Sequence, residues 1–258
     1  MHPELFSIGD FTVHTYGFLI MVGAMLGYFY MAHTAKKDLG IEPERIENLA
    51  LIVIVMAFLG GKVFFYLEDP AYYFGTPSNM LKGFRTGFTF YGSLLFVIPA
   101  VVWYFRKLKW PLWPMMDRIA IAGCIIHASG RLGCFFAGCC HGVPTDSWVG
   151  VSFTAAATQA DPVGVPLHPT QLYSVTLILT ILVILVQLKR HQRFEGQLFL
   201  TYVSLYALGR GVIEIFRGDE RRGFIIDGWI SHSQFISLVV ISGAAVLYWY
   251  LKKKKATT

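Results

Sequence analysis

Arg210, Glu214 and Arg217 stand at i, i+4 and i+7 in GRGVIEIFRGD, so a helix sets all three on one face. Ionisable groups inside an apolar segment cost about 2.5–3.5 kcal/mol each to insert and turn toward the protein interior or a wet cavity. Two readings of the trio stand. Either Glu214 neutralises both arginines and the three fix helix packing, or the arginines receive a phosphate or carboxylate while Glu214 holds a guanidinium in place. The planar guanidinium fork suits phosphate in bidentate geometry. Arg131 lies in a second setting, GRLG, where Gly130 and Gly133 allow tight turns or close backbone approach. Arginines from two separate segments make a better anion site than either alone.

Other side chains offer proton chemistry. His168 opens HPTQLY, and Pro169 after it suits a first helical turn. It reads either as an imidazole base or as an interfacial histidine that hydrogen-bonds a loop. Tyr16 and Tyr91, each followed by glycine, read as phenols of an interfacial belt. The stretch GRLGCFFAGCCHG, residues 130–142, holds three of the four cysteines. Cys134, Cys139, Cys140 and His141 form C-x4-C-C-H. Zinc accepts these ligand types, but structural sites usually show paired C-x2–4-C spacings, and redox centres more often show C-x-x-C. Small apolar cysteines packing a glycine-built turn that presents Arg131 are therefore preferred to a metal or redox centre. A Cys139–Cys140 vicinal disulfide is a further alternative. No metal and no cofactor are expected.

These residues need elements to carry them, and the composition says which. The 258 residues are 55% hydrophobic and only 15% charged, against about 25% charged in soluble domains. Lipid is the expected solvent. The net charge of +6 is spread between apolar stretches and forms no single basic face, which excludes nucleic acid as a partner. The opening MHPELFSIGDF has no basic n-region, so insertion is expected to use the first membrane helix. Spans of roughly 20 apolar residues are predicted at 12–33, 47–67, 88–105, 115–137, 171–188, 196–216 and 232–251. The fourth contains Asp117, Arg118, His127 and Arg131 and is expected to be irregular over 117–142, where broken backbone must face protein or a wet cavity.

Fourteen of the 22 Lys and Arg fall in 34–46, 106–118, 189–193 and 252–255, which puts these segments in the cytoplasm, the N-terminus outside and the C-terminus inside. The other cations, Arg131, Arg210 and Arg217 among them, lie at outer helix ends or in outer loops. Topology gives no reason for that excess, so it asks for a functional one. The expected architecture is all-α: a single polytopic membrane domain over 1–258 with seven transmembrane helices. Outer loops are expected at 68–87, 138–170 and 217–231, the middle one a loop-rich head between the fourth and fifth spans.

With these fragments in hand the chain resembles the prolipoprotein diacylglyceryl transferases of bacterial inner membranes. The YG of HTYGFLIMVG, LGGKVFFYL, GFTFYGSLL, GRLGCFFAGCCHG, HPTQLYS, GRGVIEIFRGD and SHSQFISL resemble that family's motifs in the same order. Each fragment is modestly specific; their shared order across seven spans is highly specific. The resemblance implies transfer of the diacylglyceryl group of phosphatidylglycerol to the lipobox cysteine thiol of a secreted prolipoprotein. A thioether forms and glycerol phosphate leaves, as the first step of lipoprotein maturation. It implies a catalytic set of Arg131, Arg210, Glu214, His168 and Tyr91, and lipid-headgroup contacts from Tyr16, Arg131, Gly133, Gln171, Arg210 and Arg217. It also implies membrane lipids and a prolipoprotein signal peptide as partners, no metal, and an active site toward the periplasmic side.

The chain departs from the family at the signature. Cys134 stands where the family has Asn, Ala137 where it has Asn, Cys139 where it has Glu, and Tyr91 where it often has His. Two readings follow, and the first is preferred: a branch in which the glycine turn and Arg131 suffice, or a paralogue with altered, thiol-based chemistry. A phenol ordinarily titrates near pH ~10, a poor match for a base. On pKa range alone His168 and His141 suit that role better. A non-catalytic phospholipid- or anion-binding membrane protein, and a membrane thiol-redox or metal protein built on Cys134, Cys139 and Cys140, are the rival readings.

Overall fold

The computed structural model describes residues 2–9, 11–85, 87–217, 224–226 and 230–256. In chain order the elements are β1 (Glu4–Ile8), β2 (Phe11–His14), α1 (Thr15–Leu39), α2 (Pro43–Glu68), α3 (Pro70–Gly75), α4 (Pro77–Arg85), α5 (Phe90–Leu108) and α6 (Leu112–Ala137). There follow β3 (Val151–Ser152), β4 (Pro166–Leu167), α7 (Thr170–Lys189), α8 (Gln197–Ile213) with a 3-10 turn Glu214–Phe216, β5 (Phe224–Ile226), β6 (Ile230–Ser231) and α9 (His232–Ala256). The strands form only two-stranded antiparallel ribbons among the described residues. Among the described residues six segments are long and apolar enough to cross a membrane: α1, α2, α6, α7, α8 with its 3-10 turn, and Gln234–Lys255 of α9. The protein is an all-α polytopic membrane protein. The predicted third span, α5, is not among the six; it has 19 residues, Pro99 inside it, and Arg106 and Lys107 in its last turn.

Contacts divide the chain into two compact units, Met1–Met31 with Met116–Thr258, and Ala32–Met115. In the second unit α2 and α5 run antiparallel. Thr89 N–H donates to the Gly61 carbonyl (3.1 Å), Ser93 Oγ to that of Ala57 (2.8 Å) and Tyr104 OH to that of Arg45 (3.0 Å). From Gly61 to Arg45 is about 24 Å of helix, so α5 retraces most of α2. Their seam needs glycine: a Cβ on Gly60 would lie 2.3 Å from the Gly92 carbonyl oxygen, and one on Gly92 2.4 Å from that of Gly60. Close approach of this kind substitutes for hydrophobic attraction where the solvent is itself apolar. Leu51, Ile54 and Phe58 stay exposed on α2, as a lipid-facing surface requires.

Residues 68–87, expected as a loop, contain α3 and α4. Each begins with proline at a first-turn position, which needs no N–H there. Asp69 Oδ1 accepts from Tyr72 N–H (3.1 Å) and Thr76 Oγ1 from Asn79 N–H (3.4 Å), the side-chain caps that start short helices.

In the first unit, Ala120, Ile121, Cys124 and Ala128 of α6 meet Ile178, Ile181 and Leu185 of α7 and Leu198 of α8 in one buried cluster. α1 lies against α6 through glycine, since a Cβ on Gly23 would fall 2.5 Å from Ser129 Cβ. α9 packs on α8 through Phe194, Leu200 and Ala244. The expected break in the fourth span does not occur: α6 is continuous to Ala137. Asp117 is 3% exposed and sits at the start of α8. It accepts N–H bonds from Gly196 (2.7 Å) and Phe199 (2.9 Å) and the amide of Gln192 (2.6 Å). A carboxylate at a helix N-terminus meets orphan donors and the positive end of the dipole, so a buried acid here joins two helices and breaks neither. The head between α6 and α7 is loop-rich, with β3 pairing β4 over Val151↔Leu167 and a small core of Phe153, Ala160 and Leu167. Of the expected loop at 217–231, residues 218–223 and 227–229, Arg221 and Arg222 among them, lie outside the described residues.

Candidate active site

α6 ends in a turn whose hydrogen bonds decide what its side chains do. Gly138 N–H donates to the Phe135 carbonyl and Cys139 N–H to that of Cys134, both at 3.2 Å, while Gly138 adopts φ +80°. This is a Schellman C-cap, with glycine at the left-handed position and side chains three before and two after the last helical residue in contact. Those side chains are Cys134 and Cys139. Cys140 then takes φ +63° and swings a third thiol to the same place. The three Sγ atoms lie within 4.8 Å of one another. The sequence reading of these residues as a turn holds; what the turn presents is three thiols, and Arg131 is presented by the helix before it. Gly130 has open space around it, whereas a Cβ on Gly133 would press at 3.0–3.2 Å on the ring and backbone of Tyr16 in α1.

The start of α7 anchors the turn from outside. Thr170 Oγ1 donates to the Cys140 carbonyl and Gln171 Nε2 to the Cys139 carbonyl, each at 2.7 Å. Gln171 is 1% exposed, and its Oε1 has no partner among the described residues. Gly142 then threads between two elements: its N–H donates to the His168 carbonyl (2.8 Å), Val143 N–H donates to that of Phe216 (3.0 Å), and a Cβ on Gly142 would lie 2.2 Å from the Phe216 oxygen. His168 shares a 2.9 Å hydrogen bond between Nδ1 and Tyr173 OH, its ring against Phe216. This threading brings Cys140 beside the Arg217 guanidinium, just past α8. Hydrogen bonds with the Cys134 and Cys139 thiols, with Arg217 alongside, hold the Cys140 thiol below the usual range.

Across the site, Arg131 Nε lies 3.5 Å from His127 Nε2, and that imidazole lies 3.4 Å from the hydroxyls of both Tyr202 and Tyr206. Tyr206 also hydrogen-bonds Arg131. One helical turn beyond Tyr206, about 6 Å along α8, comes Arg210, whose Nη1 donates to Glu214 Oε2 at 2.5 Å. Arg210 and Glu214 are 15% and 8% exposed. Glu214 and Arg217 are buried. Tyr16 faces the group formed by Arg131, Cys134, Cys139 and Cys140. The structure thus gathers Tyr16, Arg131, Gly133, Gln171, Arg217 and the thiols around one turn, with His168 reaching it through its backbone and Arg210–Glu214 one turn from Tyr206. Tyr91 belongs to the other compact unit, 73% exposed at the start of α5.

The sequence reading named His127 only as an ionisable group in the fourth span and missed Tyr202, Tyr206 and Thr170. Their signal was present: Tyr202, Tyr206, Arg210 and Glu214 recur every fourth residue, as do His127 and Arg131, which draws one polar stripe on each helix. Chemically the site offers fixed guanidinium groups for an oxyanion and sulfur for a soft partner.

Comparison with known proteins places the chain in a family. A family model described as prolipoprotein diacylglyceryl transferase matches residues 3–250. Curated relatives include a phosphatidylglycerol–prolipoprotein diacylglyceryl transferase of Clostridium tetani, 33% identical over 241 residues, covering 93% of this chain and 94% of the relative. A second of that name from Clostridium perfringens is 28% identical over 248 residues, covering 96% and 94%. One from Rickettsia canadensis is 30% identical over 258 residues, covering 96% of each chain. The match runs through every motif that builds the turn, both arginine-bearing helices and the start of α7, and the chain belongs to the prolipoprotein diacylglyceryl transferase family.

Proposed function

We propose that this protein transfers the diacylglyceryl group of phosphatidylglycerol to the lipobox cysteine of a prolipoprotein, the first step of bacterial lipoprotein maturation, in the cytoplasmic membrane. The acceptor sulfur attacks the glyceryl carbon. The C–S bond forms as the C–O bond breaks, and glycerol phosphate departs with the bonding pair. The observation that carries this reading is the set of arginines around the α6 turn: half-buried Arg131 beside Tyr206, buried Arg217 beside Cys140, and half-buried Arg210 fixed by Glu214. Preorganised cations aimed at charge that appears as a bond breaks are a large source of catalysis.

In this reading Arg131, Arg210 and Arg217 take the lipid phosphate, and Glu214 orients Arg210. Tyr16, Gly133 and Gln171 frame the headgroup, Gln171 by holding the turn. His168 and Tyr91 remain candidates for proton transfer. The active site faces the periplasm, where the acceptor cysteine emerges after secretion. Seven spans with the N-terminus outside fit both the distribution of Lys and Arg and the length over which α5 follows α2. The test is reconstitution with headgroup-labelled phosphatidylglycerol and a lipobox peptide. Thioether product with stoichiometric glycerol phosphate is expected. Lipid binding with neither product would favour a non-catalytic lipid-binding role.

A further inference from the structure

Three thiols, those of Cys134, Cys139 and Cys140, converge at the α6 turn, and nothing in the transfer reaction as described uses them. Their convergence is built by the backbone. The Schellman cap joins Cys134 to Cys139, the left-handed residue brings in Cys140, and Thr170 and Gln171 hold the carbonyls of Cys139 and Cys140 from behind. With Zn–S bonds near 2.3 Å, three sulfurs around one zinc are about 3.8–4.0 Å apart. The observed Sγ separations, all within 4.8 Å, close to that by side-chain rotation alone. Among the described residues no fourth protein ligand joins them. Cys124 is buried in the α6–α7 core. The His141 ring is engaged elsewhere, Nδ1 at 2.9 Å from the Gly142 carbonyl and Nε2 at 3.4 Å from Asp161 N–H. A closed structural zinc site has four protein ligands; three with an open position is the catalytic pattern.

We propose that Cys134, Cys139 and Cys140 bind one zinc ion whose fourth position takes the acceptor cysteine of the prolipoprotein. Three thiolates and one divalent ion carry a net charge of −1, which Arg131 and Arg217 beside the cluster offset. A thiol that coordinates zinc loses its proton, here to solvent, so the site supplies a thiolate at neutral pH without a side-chain base. The bound sulfur donates its electron pair to the glyceryl carbon, the C–O pair leaves with glycerol phosphate, and the neutral thioether, a weak ligand, departs. No oxidation state changes. Gln171 is a positioning residue in this scheme, orienting the Cys139 turn. The proposal rests on the transferase reading for its fourth ligand.

The test begins with metal content of the full-length protein purified in detergent under reducing conditions. About one zinc per chain is expected, retained in Cys124→Ala and lost in Cys140→Ser and in Cys134→Ser. Cobalt(II) exchange should give thiolate charge-transfer absorption that grows when a lipobox peptide is added and does not grow with its Cys→Ser version. Gln171→Leu should weaken zinc binding by about tenfold. Protein that stays zinc-free in micromolar zinc with four titratable thiols, or with two thiols lost to a disulfide, overturns the site. Full transfer activity after complete zinc removal by chelator overturns its role while leaving the transferase reading intact. Zinc-loaded protein whose cobalt spectrum ignores the peptide likewise overturns the fourth-ligand assignment. Zinc-loaded protein that responds to the peptide yet forms no thioether sinks the transferase reading and keeps the site.

Discussion

The α2–α5 pair and the α6–α8 region solve the same problem by opposite means. Helices in lipid gain little from burying apolar surface against each other. α2 and α5 are held by absence of side chain, Gly60 and Gly92 letting backbone touch backbone. α6 and α8 are joined by polar groups at both ends of their contact, Asp117 at the start of α8 and His127, Arg131 and Tyr206 further along. The first solution is inert. The second leaves charged and titratable groups fixed in a low-dielectric setting, which is what chemistry on a lipid phosphate needs. A seam made of hydrogen bonds is therefore already most of a site.

This contrast is breakable. The largest effect is expected at Arg131→Ala and Arg210→Ala, each lowering transfer by about 10²–10³-fold per folded molecule; Arg210→Ala also lowers thermal stability, because it strands the Glu214 carboxylate. Residual turnover near wild type in both would remove the leaving-group role. Next comes Asp117→Ala, which strips three hydrogen bonds from a buried carboxylate and should destabilise the first unit by roughly 3 kcal/mol, measured as a drop in thermal midpoint. Asp117→Asn should recover part of it. Gly92→Ala should cost about 1–3 kcal/mol by overpacking while activity per folded molecule stays intact, the converse of the arginine variants. The mildest is Tyr202→Phe, about 1 kcal/mol of stability and a small loss of rate through His127. Tyr91→Phe sharpens the comparison from the other side. A loss of activity with unchanged stability would bring the α2–α5 unit into the chemistry.

Much of this was readable beforehand. Apolar stretches of about 20 residues marked six of the spanning segments, and the i, i+4 spacing of Arg210 and Glu214 became an ion pair. The failures share one cause, reading residues by type before position. Asp117, with Arg118, His127 and Arg131, reads as the sign of an irregular helix because it is an acid in an oily segment, although no glycine or proline follows it before Gly123. Its partners, Gly196 and Phe199, are some 80 residues away, and no local pattern joins them. α3 and α4 were hidden by their length, yet Asp69-Pro70 and Thr76-Pro77 are cap-plus-proline starts. The irregular spacing of the cysteines argues against a finger-type site, yet it does not keep the three thiols apart. Gly138 after an apolar run announces a Schellman cap, and that cap fixes which residues meet; the spacing that looks wrong for a finger is the one this turn requires.

Cys140 holds a backbone shape that most L-residues adopt only at a penalty of about 1–2 kcal/mol and that glycine takes freely. Glycine at this position should relieve that strain and, if the three thiols hold zinc as proposed, should lower activity. A residue held against its own conformational preference points to a position whose side chain is used, and Cys140→Gly, read with zinc content, tests whether this one is.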